Sequence, residues 1–283
     1  KEQMEAIKAV NNREELSAMI GKMHVECASP FFGFYIGADE KNSTMNILQF
    51  YQGGISMGER DYYLMDDENS AKLRAAYRNY ANTLFTLAGY SKEEAEKAAE
   101  TVISLETRIA EVSVDRNTLR DVHKNYNKMS VKDFVKKFDF IDWEIFFKET
   151  GIKNSTELNA SQLTFFEGLT RLLKKTPLED QKTYLTFNLL SSASNYLSED
   201  FVNANFEYYG KALQGKEELQ PLWKRSLSVV NRSLAEAFGQ MYVEKYFPAS
   251  SKEKMLEMVE NLRTALGERI DALEWMSQET KAK

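Results

Sequence analysis

Thirteen residues, Gln52 to Leu64 (QGGISMGERDYYL), constrain the fold more than any other stretch. The pattern before them is that of paired strands, and the pattern after them is almost wholly helical. Glycine takes φ > 0 at little steric cost, so Gly53 and Gly54 can close a strand and Gly58 can make a second tight bend. Arg60 and Asp61 then set opposite charges side by side. Tyr62 and Tyr63 follow, two rings with apolar bodies and hydroxyls that seek partners when buried. The combination predicts a packed, hydrogen-bonded corner between a small sheet and a helical body.

Upstream, Asn12 with Glu15 reads as a helix start, and Leu16, Met19, Ile20, Met23 and Cys27 recur at helical spacing. Cys27 is expected to be a lone buried cysteine, and His24, off that row, an exposed or rim histidine. After Pro30, Phe32, Phe34 and Ile36 alternate with Gly33, Tyr35 and Gly37, the period of a half-buried strand. Asn46 to Gln52 supplies a second strand, with the polar run Ala38 to Met45 as an exposed loop between them.

Downstream, Leu73, Tyr77, Tyr80, Leu84 and Leu87 form one helical stripe, closed by Gly89 at the position after the helix end. Ser91 and Glu94 make a capping box for the next, with the stripe Ala98, Val102, Leu105, Ile109 and Val112. Ser130 with Asp133, and Asp142, announce two short helices. Thr176-Pro177-Leu178-Glu179 announces a further one whose body, Tyr184 to Leu197, is apolar on more than one side and therefore central. Ser198 opens a Tyr- and Asn-rich helix. Pro221 opens the longest, running to Phe247 and roughly 39 Å long at 1.5 Å per residue, with Gly239 at a close contact with a neighbour. Ser250 and Glu253 are read as the cap of the last long helix, and Ser277 as the cap of one more. No repeat, low-complexity tract or Gly/Ser/Pro linker divides the chain. The expectation is a single mainly α domain over 1–283, many helices with a small antiparallel β-hairpin near the N-terminus.

Composition narrows the function classes. Only 4 Pro and 13 Gly in 283 residues suit long helices, and a net charge of −6 disfavours nucleic acid, whose binding rests on clustered Lys and Arg. No apolar run approaches the ~18 residues of a membrane span. A chain that begins at Lys1 is expected to be part of a longer protein. One cysteine excludes an intrachain disulfide.

Chemistry is sparse. Zinc hydrolysis needs two imidazoles one helical turn apart, a third ligand and a carboxylate base. Here His24 and His123 are the only histidines, and neither lies in a His-Glu-x-x-His frame. Arg60-Asp61 reads either as a grip on a substrate terminus or as internal glue for the corner, the second preferred. The interleaved charges Glu106, Arg108, Glu111, Asp115, Arg116, Arg120 and Asp121 read as a solvated helix end rather than an acid–base pair. Asn203, Asn205, Tyr208 and Tyr209 read as a ligand groove or as ordinary core and surface. Sequons stand at Asn42, Asn154, Asn159 and Asn231.

Gln52 to Leu64 resembles the Gln-Gly-Gly-x-Gly-Leu-Pro-x-Arg-Asp-Tyr-Tyr-Leu segment in the non-catalytic half of neprilysin-like zinc metalloendopeptidases. Gln52, Gly53, Gly54, Arg60, Asp61, Tyr62, Tyr63 and Leu64 match; Ser56, Met57 and Gly58 depart. Tyr126-Asn127 with Met129 resembles that family's Tyr-Asn-x-Met. Gly239, Tyr242, Val243 and Phe247 follow its Gly-x-Leu-Tyr-Val-x-x-x-Phe order. Trp275-Met276, then Thr280-Lys281, resembles Trp-Met-Asp-x-x-Thr-Lys with Ser277 for Asp. The resemblance implies a bacterial, exported peptidase that cleaves oligopeptides with a zinc-activated water. This helical part would roof the substrate chamber and limit substrate size. It also implies that the zinc ligands belong to a C-terminal catalytic half beyond Lys283, and that this chain binds no metal and is inactive alone. Arg60, Asp61, Asn195, Asn203 and Tyr208 are the candidates for facing peptide substrate. The competing reading is a stand-alone helical surface module that captures peptide or glycan.

Overall fold

The computed structural model describes residues 1–26 and 28–283, so the reading of Cys27 lies outside the described residues. The chain forms two compact units, Lys1–Leu219 and Gln220–Lys283.

The first unit opens with α1 (Glu2–Lys8) and α2 (Arg13–Glu26). Asn12 starts α2 as expected: its Oδ1 accepts from the Glu15 amide at 2.9 Å, and the Glu15 carboxylate accepts from the Asn11 amide at 2.8 Å. His24 does not stand at an open rim. Its ring lies 4.8 Å from Phe32 and 5.4 Å from both Phe34 and Phe146, with Nε2 3.2 Å from the Pro30 carbonyl. Burial among these rings lowers its pKa to about 4.

Strands β1 (Phe32–Asp39) and β2 (Asn42–Gln52) pair antiparallel, Phe32 opposite Gln52 and Phe34 opposite Phe50, with an irregularity at Ala38/Asp39. The loop expected over Ala38 to Met45 is mostly strand, turning at Glu40–Lys41. Apart from Asp39, this end of the hairpin is exposed, so its strands need no apolar alternation. Two further short strands, β3 (Lys128–Ser130) and β4 (Glu157–Ala160), extend the hairpin to a sheet of order β1-β2-β4-β3, with β4 parallel to β2. Asn159 holds this addition together. It is 1% exposed, donates to Gln49 Oε1 at 2.8 Å and accepts from the Asn127 amide at 2.6 Å. Its sequon is therefore closed to modification in the folded chain. Tyr126 donates to the buried Asp39 at 2.8 Å, tying the Tyr-Asn motif to the hairpin.

The helices of this unit are α3 (Asp61–Leu64), α4 (Glu68–Leu87), α5 (Lys92–Val112), α6 (Arg116–Arg120), α7 (Val131–Lys137), α8 (Trp143–Glu149), α9 (Leu163–Lys175), α10 (Leu178–Ala193) and α11 (Glu199–Asn205). A π-helical segment, Phe206–Ala212, continues α11. Asp67, Ser91 with Glu94, Ser130 and Asp142 cap their helices through side chains. Thr176 does not: its hydroxyl donates back to the Leu172 carbonyl at 2.9 Å, and Pro177 itself precedes α10.

Two aromatic cores result. One packs Phe32, Phe50, Phe134, Phe138, Trp143, Phe146 and Phe166 against the sheet, with Phe50 and Phe134 stacked at 5.0 Å. The other gathers Tyr77, Tyr80, Leu84, Phe85, Val102, Phe187 and Tyr208. As its all-round apolar sequence predicts, α10 serves both, giving Tyr184 and Leu185 to the first and Phe187 and Leu190 to the second.

The second unit consists of α12 (Leu222–Ser233), α13 (Ala235–Tyr246), α14 (Ala249–Asp271) and α15 (Gln278–Ala282). The single helix expected from Pro221 to Phe247 breaks at Leu234, which sits at φ −128°, ψ 24°. Asn231 and Ser233 just before it are residue types of low helix propensity. Gly239 is not at a close contact: a Cβ there would meet nothing within 4 Å. Pro248, rather than Ser250, precedes α14, whereas Ser277 does cap α15 by accepting from the Thr280 amide at 3.2 Å. No residue of α12, α13 or α14 is buried.

Candidate functional site: the Gln52–Tyr63 corner

The corner is built where β2 ends against the C-terminal end of α5. Gln52 behaves as a surrogate strand residue: its side-chain amide donates to the Val114 carbonyl at 3.2 Å and accepts from the Val114 amide at 2.8 Å. Of the two glycines that follow, only Gly54 adopts positive φ, +82°. Gly53 is constrained in a different way, since a Cβ there would sit 3.1 Å from the Phe32 carbonyl carbon, a tight contact with β1. Tyr184 of α10 locks the bend, donating to the Gly54 carbonyl at 3.0 Å and accepting from the Phe31 amide at 3.2 Å.

Glu106 lies beneath the bend and corrects the reading of its stretch as a solvated helix end. It is 0% exposed. Its Oε2 accepts from Tyr63 Oη at 2.5 Å and from the Ser56 amide at 3.1 Å, and its Oε1 accepts from Ser56 Oγ at 2.8 Å. Tyr63 Oη also accepts from the Ser56 and Met57 amides at 3.0 Å. Desolvation raises the Glu106 pKa, and burial with the adjacent carboxyl pushes Tyr63 well above the usual phenol range. The sequence held one signal for this residue: Glu106 follows Val102 by four and precedes Ile109 by three, which puts it inside the apolar stripe of α5.

Arg60 and Asp61 sit on the outer side of the corner. Arg60 Nη1 donates to the Ser113 carbonyl at 2.7 Å, and its Nε is 3.9 Å from Asp61 Oδ1. Asp61 is exposed and Tyr62 half-buried; Arg74 donates to the Tyr62 carbonyl at 2.8 Å.

The other candidates lie elsewhere. Asn203 and Tyr208 line a groove of about 530 Å³ between α4 and the α11–π segment, where the Tyr208 ring stacks on Tyr80 at 5.2 Å. Tyr208 is 2% exposed, Asn203 is exposed, and Asn195 is exposed but outside that groove's lining. Asn205, absent from that lining, donates to Ser194 Oγ at 2.8 Å. The remaining motif residues Tyr242, Phe247 and Trp275 are exposed on the second unit.

These residues do not fit a metal centre. His24 is enclosed by aromatic rings, and His123 lies exposed in the turn after α6. Among the described residues no group of three or more His, Cys, Asp or Glu side chains is placed to hold an ion, and no helix is long and apolar enough to cross a membrane.

A mainly helical body with a four-stranded sheet and a Gln-Gly-Gly…Arg-Asp-Tyr-Tyr corner defines the class. The chain belongs to peptidase family M13, whose N-terminal family model matches residues 1–283. Endothelin-converting enzyme-like 1 of Mus musculus is 30% identical over 278 residues, covering 95% of this chain and 35% of that protein. The crystal structure of Mycobacterium tuberculosis zinc metalloprotease ZMP1 in complex with inhibitor superposes with a TM-score of 0.90 at 27% identity, covering 99% of this chain and 42% of that one. PepO from Lactobacillus rhamnosis shares the fold, with a TM-score of 0.83 at 19% identity over 45% of its chain. The chain thus spans less than half the length of these relatives.

Proposed function

We propose that this chain is the non-catalytic helical part of a zinc-dependent metalloendopeptidase that hydrolyses oligopeptides. The observation that carries this reading is the match to family M13 along all 283 residues, combined with coverage of only 35% of a relative 30% identical to it. Zinc ligands and the base that activates water then belong to a C-terminal catalytic half, which is also the partner of this chain. In this reading both units form one roof, 1–283, over a substrate chamber and restrict the size of peptide admitted. Arg60, Asp61, Asn195 and Asn203 are the residues assigned to face peptide; Tyr208, 2% exposed, is reassigned to the wall of the groove beside Asn203. Support for a missing partner comes from the second unit, where Trp223, Met241, Leu262 and Trp275 are all exposed. A bacterial, exported parent fits the single cysteine and the likeness to a mycobacterial zinc metalloprotease.

The test compares three proteins by metal analysis after dialysis and by cleavage of fluorogenic peptides of graded length. The parent should hold one zinc and cleave only short peptides. This chain should hold none and cleave nothing. The parent lacking 1–283 should lose the length limit or the activity; the same cleavage with the same limit would overturn the roofing role.

A further inference from the structure

Strand β1 is the outer strand of the sheet, and its register with β2 shows which of its backbone groups are spent. In a strand the amide and carbonyl of one residue point to the same side, and that side alternates along the chain. On β2 the Phe50 carbonyl accepts from the Ser161 amide at 2.9 Å and the Gln52 amide donates to Gln162 Oε1 at 2.8 Å, so Leu48, Phe50 and Gln52 turn their backbone groups away from β1. Their opposites Ile36, Phe34 and Phe32 therefore turn theirs to the outer edge, while Gly33, Tyr35 and Gly37 bond to β2. The Pro30 carbonyl takes the Phe32 amide at 2.9 Å. The amides and carbonyls of Phe34 and Ile36 have no partner among the described residues. Edge strands are ordinarily blunted by a lysine, a proline or a covering element. From Phe32 to Ala38 this one carries no charge and no proline, and Tyr35 and Ile36 are 54% and 65% exposed. On one face the Tyr51 ring lies over Gly33 and the Tyr35 ring over Gly37, where any Cβ would clash with them. On the other, Phe34 and Ile36 border a groove of about 800 Å³ that Met45, Leu48, Ile152 and Asn154 also line.

We propose that the outer edge of β1 docks a short extended peptide, which adds as a further strand through the backbone groups of Phe34 and Ile36. Two donors and two acceptors at the two-residue spacing of a strand match another extended backbone, and neither a helix nor a sugar. In an antiparallel addition the residues opposite Phe34 and Ile36 exchange both bonds with them and set their side chains on the groove face, where apolar β-branched groups cover Ile36 and Met45. The residue between them lies on the Tyr35 face. The ladder is bounded at one end by the spent Phe32 amide and at the other by the irregularity at Ala38/Asp39, which leaves room for a strand on the order of three to five residues. A second copy of the chain is the poorer occupant, because a stable dimer buries roughly 800 Å² per partner from about 20–30 residues, far more than this edge presents. The docking stands independently of the peptidase reading, because it needs only residues of this chain and no cleavage.

The probe is acetyl-Lys-Val-Thr-Val-Thr-Val-Lys-amide, titrated into this chain while amide–water exchange is read residue by residue by NMR. At about ten times its dissociation constant the peptide should slow exchange of the Phe34 and Ile36 amides about tenfold, while Gly33, Tyr35 and Gly37, already bonded to β2, keep their rates. Side-chain contact alone does not produce that alternation. Ile36→Pro deletes one outward donor without touching the ladder to β2, and should weaken the peptide at least about tenfold at an unchanged denaturation midpoint. Should that variant fail to fold, the probe N-methylated at its valines decides: it keeps the side chains, loses the donors toward β1 and should not bind the wild-type chain. No binding of the unmethylated probe at about 1 mM, equal binding of the methylated one, or free exchange at Phe34 and Ile36 in the complex overturns the proposal. Protection of the same two amides without peptide, growing with protein concentration alongside a dimer in sedimentation, would give the edge to a second copy and overturn it as well.

Discussion

Helix α5 of the first unit and α14 of the second carry the same kind of apolar stripe, yet the two end in opposite environments. Val102, Leu105 and Ile109 of α5 are at most 1% exposed, whereas Leu256, Leu262 and Leu266 of α14 are 60–61% exposed. A stripe in a sequence says which side of a helix is to be covered; it does not say by what. In the first unit the cover is supplied by this chain, through α4, α10 and the aromatic row on the sheet. In the second unit the helices α12 to α14 bury no residue, so their stripes are left exposed.

Truncation gives the largest contrast. Phe50→Ala removes a ring stacked on Phe134 and packed edge-on to Phe166, and should cost about 3–5 kcal/mol in chemical denaturation. Leu256→Ala in the same chain should change stability by no more than about 0.5 kcal/mol. Equal losses would mean that the two units are packed alike.

A smaller contrast comes from glycines. Gly54 sits at φ +82°, and a Cβ there would lie 2.8 Å from the Phe31 backbone, which cannot step aside. Gly54→Ala should therefore lower the denaturation midpoint by an amount equivalent to about 2 kcal/mol. A neutral result would show that the bend is slack.

The smallest effect has the opposite sign. Gly239→Ala should stabilise this chain by about 1 kcal/mol, the ordinary helix-propensity gain at an open site. In the longer parent proposed above, a loss of stability from the same substitution would instead show that α13 is covered there.

Much of the fold could be read from local chemistry. Ser91 with Glu94, Asp142 and Ser277 cap where their spacing said they would, because a cap is decided within one helical turn. The corner was legible for the same reason, although the tight place at Gly53 is its approach to β1 rather than its own dihedral angle. What escaped reading depends on distant residues. Strands β3 and β4 are three and four residues long, too short for alternation to show; β2 offers an edge to β4, and β4 in turn offers one to β3. Leu234 breaks a stripe that is continuous on paper, since periodicity records which face is apolar and not whether the backbone stays helical. Glu106 reads in sequence as one charge among many, because the interleaved run after it masks its place on the apolar side of α5. Of the candidate site, Asn203 and Tyr208 fall in one groove, while Arg60 and Asp61 belong to the corner; sequence spacing alone carried no information on that separation.

The parallel pairing of β4 with β2 has a consequence for how the chain comes off the ribosome. Gln49 and Asn159, joined side chain to side chain, are 110 residues apart. At roughly 5–20 residues per second, the inner edge of β2 waits on the order of 5–20 s after its own synthesis before β4 can arrive. Throughout that interval the hairpin presents an unpaired edge beside Phe50, whose aromatic partners on α7, α8 and α9 have not yet been made. The nascent chain therefore passes through a period in which β2 is complete and its inner edge is unpaired. The sheet can therefore close only after Ala160 has been made, late in the synthesis of the first unit.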